Sequence, residues 1–302
     1  MSVAGLIVLT IGMSLRRKWL ESAPEAISRA QTEGIEALER GDYDEANLLL
    51  SKGARAVEAL RGEHQDASSV RQAAEEAAIL VNLSRSPLED MIEEAARYDP
   101  PASWPGRFRD LYRGQSVLID ALVTDVGSPP ERGPTLGLRI CTGNGPQAAR
   151  RGRIDTTGLT ILDSARPKVG DRLLFGARLA SLTLGSDGEW VYTLIPESGV
   201  RFTHWKALVP LGWPDTEREV AIRGEGGASA DRRADGTLRN ATDQEIQSLL
   251  GKPDSQARWA TQGNTTEQWI YRSQQGRGSQ VLNFRRRSGE ARMLVTANFS
   301  VP

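Results

Sequence analysis

Thr242-Asp243-Gln244-Glu245-Ile246, Leu249-Leu250-Gly251-Lys252-Pro253-Asp254, Glu267-Gln268-Trp269-Ile270-Tyr271 and Val281-Leu282-Asn283-Phe284 follow one another near the C-terminus. Thr242 with Glu245 three residues on makes a capping box. Ile246, Leu249 and Leu250 supply the apolar stripe of a short helix. Gly251 is expected in the left-handed position after the helix, and Pro253 blocks its continuation. The next two runs read as strands: Trp269 and Tyr271 point to one side, Gln268 and Ile270 to the other, and Leu282 and Phe284 can pair with the aromatic face. Arg285-Arg286-Arg287 and Gly289 then turn into a third strand over Ala291–Phe299.

The order Leu-Gly-Lys-Pro-Asp, then Trp-Ile-Tyr, then Asn-Phe resembles the SmpA/OmlA (BamE-like) family of bacterial envelope-assembly lipoprotein domains, over about 60 of the 302 residues. The resemblance implies a helix followed by a three-stranded antiparallel sheet. It also implies a non-enzymatic role, docking onto other envelope proteins, with Trp269, Tyr271, Arg285, Arg286 and Arg287 as candidate partner-binding residues. The chain departs from the family in having no cysteine near its start for lipid attachment.

Upstream, Gly224-Glu225-Gly226-Gly227-Ala228-Ser229-Ala230-Asp231 and the residues around it read as a flexible linker over 213–238, leaving 239–302 as its own domain. Between 105 and 212 the apolar period is two. Val117, Ile119, Ala121 and Val123 line one strand, Leu136, Leu138 and Ile140 a second, and Leu173, Phe175, Ala177 and Leu179 a third. Gly185-Ser186-Asp187-Gly188 folds the third back onto Trp190, Tyr192 and Leu194. A small antiparallel barrel of OB-like topology is the expectation, with a sandwich as the alternative. OB-like barrels bind single-stranded nucleic acid, and the stretch Thr142–Asp155, read as a loop, carries Arg150, Arg151 and Arg153 as candidate anion contacts. Sparse aromatic partners and a net charge of -1 weigh against nucleic acid as a partner.

Pro100-Pro101 and Trp104-Pro105-Gly106 mark the boundary with a helical region over 22–99. There Ile27, Ala30, Gly34 and Leu38, then Tyr43, Ala46, Leu50, Gly53, Val57 and Leu60, recur at helical spacing around Gly41-Asp42. This hairpin resembles a single tetratricopeptide unit, its small residues 34, 46 and 53 permitting close helix approach. Further helices are expected over Ala67–Leu83 and from Ser86, with Ser86 as N-cap, Pro87 at the first helical position and Glu89 closing a capping box. A peptide-binding groove and a four-helix spacer are the two readings.

Ser2–Leu15 is almost wholly apolar and runs into Arg16-Arg17-Lys18-Trp19. It is shorter than the roughly 20 residues that cross a bilayer and lacks a cleavage signal. Residues 1–20 read as a single-pass membrane anchor whose first turns precede the recorded start, with a buried or interfacial helix as the alternative. The basic cluster argues for a cytoplasmic body, the family resemblance for the opposite side.

Chemistry is scarce. Cys141 is the only cysteine, so neither an intrachain disulfide nor a thiolate zinc site can form, and His64 and His204 are the only imidazoles. A Cys141/His204 nucleophile pair is the lone catalytic candidate and has no supporting motif. Gly143-Asn144-Gly145 lacks the helix start of a phosphate-binding turn. The expected class is a multidomain α + β, membrane-anchored, non-enzymatic interaction or scaffold protein of the cell envelope, with no cofactor or metal. The alternative is a single-stranded nucleic-acid-binding protein acting through the OB-like barrel.

Overall fold

The computed structural model describes residues 21–61, 64–98, 101–126, 133–142, 150–213, 242–272, 279–287 and 294–301. The expected membrane anchor at 1–20, the linker from 214 onward, the Gly143-Asn144-Gly145 stretch and the turn at Gly289 lie outside these residues. Among the described residues no helix is long and apolar enough to cross a membrane. The chain is mixed α + β and divides into two compact units, one helical and containing residues up to Val81 with Thr203–Pro210, the other built on a sheet and containing Asn82–Phe202 with Leu211 onward.

In the helical unit, helix α1 runs from residue 21 to Arg40 with a π-helical turn at Ala30–Gly34. Helix α2 is Tyr43–Ala59 and α3 is Ala67–Val81. Gly41 ends α1 at φ 88°, a left-handed conformation that favours glycine, and so reverses the chain within two residues. The close approach expected of the small residues is present. A side chain at Gly53 would collide with Ala30, and one at Gly34 would lie 3.0 Å from Leu50. Ile27, Leu38, Leu50, Val57, Val70 and Ala77 are fully buried. The segment Thr203–Pro210, most of a 3-10 turn over Trp205–Leu211, returns to this unit.

The helix expected from Ser86 belongs to the sheet unit, not to a four-helix spacer. Helix α4 is Leu88–Arg97, Pro87 is its N-cap, and no side chain caps it. The expected capping box is absent: Pro87 holds the N-cap position, the Ser86 N–H donates to Ser84 Oγ, and Glu89 is buried beside Arg285. Trp104-Pro105-Gly106 begins a helix instead of ending one: α5 spans Trp104–Leu111 with Pro105 in its first turn, where a missing N–H costs nothing. Trp104, Phe108 and Tyr112 make edge-on and tilted ring contacts with one another and, with Met91 and Ile92 of α4, enter the main core.

The strands are β1 Ser116–Asp125, β2 Thr135–Leu136, β3 Ile140–Thr142, β4 Arg150–Asp155, β5 Arg172–Leu184, β6 Trp190–Leu194, β7 Val200–Arg201, β8 Ser255–Thr261, β9 Asn264–Arg272, β10 Ser279–Arg287 and β11 Leu294–Val301. A short helix, α6, spans Thr160–Ala165, and α7 is Asp243–Leu250. Along the sheet the order is β11-β10-β9-β8-β1-β5-β6-β4-β3, with β2 on β1 and β7 on β5. The long strand β5 pairs with β1 over residues 172–178 and, after a register shift between Leu179 and Ser181, with β6. That change of partner bends the sheet and encloses Val117, Ile119, Ala121, Phe175, Ala177, Leu179 and Tyr192.

Two expectations are revised here. The middle strands are not purely antiparallel, since β4 pairs with β6 in parallel. The expected boundary between 105–212 and 239–302 is bridged: β8 pairs with β1, Asp120 opposite Arg258 and Ile119 opposite Trp259, and Trp259 joins the main core. The C-terminal meander accordingly has four strands, not three. The extra strand, β8, reaches β9 through Gln262-Gly263, with Gly263 at φ 73°, the positive value at the second central position that favours glycine.

Candidate functional site

The period of two sends successive residues of β8, β9 and β10 to opposite faces of the sheet, and each face carries a buried polar row. On the face covered by α7, Asp120, Arg258, Glu267 and Phe284 lie directly opposite one another across β1, β8, β9 and β10. Arg172 grips Asp120 with two bonds, Nε to Oδ1 and Nη2 to Oδ2, both 2.5 Å. The Trp213 indole N–H also donates to Asp120, at 3.0 Å. Arg258 Nε donates to Glu267 Oε2 at 2.9 Å with both side chains at most 5% exposed, and the Trp269 indole N–H donates to Glu267 Oε1 at 2.7 Å. Asp120 and Glu267 thus each have an opposite charge and a further bond from a tryptophan, which keeps both carboxylates tolerable out of water, whereas the buried Nη1 of Arg258 is without a hydrogen-bond partner among the described residues.

On the opposite, concave face, Glu89 of α4 lies 3.6 Å from Arg285 and hydrogen-bonds Thr266. Burial pushes its carboxyl above the usual range, and Arg285 opposes that rise only in part. Beside it the Gln268 side chain acts as a surrogate peptide group. Its Oε1 accepts from the Arg139 backbone N–H at 2.8 Å, and its Nε2 donates to the Arg139 carbonyl and, at 2.8 Å, to Asn283 Oδ1. This amide fastens the short stretch between β2 and β3 to the C-terminal meander.

The residues expected to meet partners are largely committed inside the chain. Trp269 is 4% exposed and packs on Phe284, ring centroids 4.5 Å apart, with Ile246 of α7 and Leu282 around them. The Tyr271 hydroxyl donates to the Gly251 carbonyl at 3.1 Å. Arg285 is paired with Glu89 and Asp90. Arg286 lies against Gly212, whose φ of 97° and lack of a side chain make room for the guanidinium. Burial, with Arg258 nearby, lowers its pKa. The Arg287 backbone pairs with Asn264. Trp269 is therefore core and not a docking surface, because α7 needs an apolar face to cover.

The expected arginine loop is in part a strand. Arg150, Arg151 and Arg153 lie on β4, and Arg151 pairs with Cys141 of β3. Arg150 Nη1 donates to Glu93 Oε2 at 2.9 Å. A bond from Thr142, with Arg150 close by, holds the Glu93 carboxyl below its usual range despite partial burial. Arg153 stands 3.9 Å from Glu189. Cys141 is buried, which pushes its thiol up to about 11 and removes thiolate at neutral pH. The His204 imidazole is engaged by Glu76.

Asp120, Arg258, Gln268 and Glu76 are not among the residues that sequence motifs single out. A signal for the first two was present: a single carboxylate inside Val117–Val123 and a single guanidinium inside Ala257–Trp259 each interrupt an apolar run, and a charge in a buried strand demands a partner. Among the described residues no three His, Cys, Asp or Glu side chains gather as a metal site would require. No protein-family model, no curated protein and no solved structure matches the chain.

Proposed function

We propose that the chain is a membrane-anchored, non-enzymatic interaction or scaffold protein of the cell envelope, docking through its C-terminal BamE-like region. The observation that carries this reading is the outermost strand. Among the described residues β11 pairs with β10 alone, and its sequence, Leu-Val-Thr-Ala-Asn-Phe-Ser-Val, contains no charge and no proline. Natural sheets blunt a long edge with charge, proline or brevity, and β3, at the other end of the sheet, is three residues long. An uncharged eight-residue edge suits a partner that adds a strand. The apolar Ser2–Leu15 segment supports the anchor, and the Leu-Gly-Lys-Pro-Asp/Trp-Ile-Tyr/Asn-Phe order supports the envelope setting.

The nucleic-acid reading has less behind it, because Arg150 is paired with Glu93 and Arg153 faces Glu189. Docking is tested by placing lysines on the edge, Thr296→Lys with Asn298→Lys, in the tagged chain with its upstream sequence retained. The expected result is loss of co-purifying membrane proteins with unchanged thermal unfolding. Partners retained by a folded variant contradict the reading.

A further inference from the structure

Glu76 of α3 is the most heavily engaged carboxylate of the helical unit, and it is fully buried. Its Oε1 accepts from the Thr203 backbone N–H at 2.8 Å, the Thr203 hydroxyl at 2.7 Å and Gln72 Nε2 at 2.9 Å. Its Oε2 accepts from the His204 backbone N–H and lies the same distance, 3.1 Å, from the imidazole Nδ1. Four of these five contacts come from two consecutive residues of the returning segment. That segment is fastened at three further points: Lys206 lies 3.7 Å from Glu39 of α1, the Tyr43 hydroxyl donates to the Ala207 carbonyl at 2.7 Å, and Pro210 packs on Gly41. The chain leaves this unit at Val81 and returns at Thr203, so these contacts close a long loop.

We propose that Glu76 and His204 form a pH-graded clasp on the Thr203–Pro210 segment, tight in mild acid and looser above neutrality. The charged groups that act on the imidazole are Glu76 from α3 and Glu39 from α1, and Glu39 is itself 3.7 Å from Lys206. The hydrogen bond to Glu76, with Glu76 and Glu39 as nearby negative charges, raises the His204 pKa above 6.5 against the effect of burial. A raised histidine pKa contributes stability that is complete below the unfolded value and is lost as pH climbs through the folded value. Burial alone would push the Glu76 carboxyl up, but its bonds from His204, Gln72 and Thr203 outweigh burial and hold it below 4.5. Its contribution is present above 4.5 and fails only as pH falls through that lowered value. The two windows overlap in mild acid. Above neutrality the backbone and hydroxyl bonds persist, so the clasp loosens without vanishing.

Hydrogen exchange on the full chain, corrected for intrinsic rates, tests this at the amides of Thr203 and His204. Protection is expected to fall about fivefold between roughly pH 5.5 and 8.5, the difference between a charge-assisted and a neutral hydrogen bond. His204→Gln, which keeps a donor but cannot titrate, should abolish the step. A flat profile in the unaltered chain, or the same step in His204→Gln, overturns the proposal. Imidazole titration by NMR in the unaltered chain, assigned with His64→Gln, checks it independently of the variant's folding: a His204 midpoint at or below 6.5 also overturns it.

Discussion

Arg258 and Glu267 face each other from neighbouring strands, almost out of water, so removing either strands the other as an unpaired buried charge. Glu267→Gln should destabilise the sheet unit by about 3–5 kcal/mol, read as a lowered urea midpoint. Arg150→Gln breaks a pair in which the arginine side chain is 39% exposed, so water screens it and less than about 1 kcal/mol should be lost. Equal effects from the two variants would contradict this ranking. Cys141, buried and with its thiol pushed up to about 11, should resist alkylation at pH 8 until the sheet unit unfolds, as mass spectrometry of the native chain would show. The sequence placed Trp269 and Tyr271 on a common face correctly, but period alone does not say whether that face meets a partner or a helix. Here α7 takes it.

Among the elements, those with local signals were legible. Thr242 accepts from the Glu245 N–H at 3.2 Å while Glu245 reaches back to the Thr242 N–H at 2.8 Å, completing the capping box read from the sequence. Thr242→Ala should cost about 1 kcal/mol, measurable by chemical denaturation. Gly251 has the positive φ expected of it, 75°, but its ψ of -160° is not that of a left-handed cap, because the chain must leave at once toward Pro253 and β8. Strands β4 and β8 were missed for a shared reason. Arg150, Arg151 and Arg153 in one, and Gln256 with Arg258 in the other, interrupt the apolar alternation that marks a strand. Ion pairs to Glu93 and Glu267 are what make those positions tolerable, and no local pattern announces a partner over 50 residues away in the first case.

At the level of the molecule, the revised point is continuity of the sheet from β11 through β8 and β1 to β5. A linker-like composition over 213–238 argues for independent modules, yet β8 beyond it pairs with β1 before it: cross-strand register is a long-range property that composition does not carry. Ending the chain at residue 239 would strip β8 from β1 and remove Trp259 from the main core. Residues 82–213 should then lose cooperative unfolding and become protease-sensitive, whereas separate domains would leave them unchanged. Docking by the sheet edge is most directly read by a photo-crosslinking amino acid at residue 298 of β11, in native membranes and with upstream sequence retained. An exposed position far along the sequence, Leu48 of α2, serves as the control. Discrete adducts to membrane proteins from residue 298, absent from residue 48, are the predicted result; no adduct at 298, or the same adducts from both positions, would contradict docking through β11.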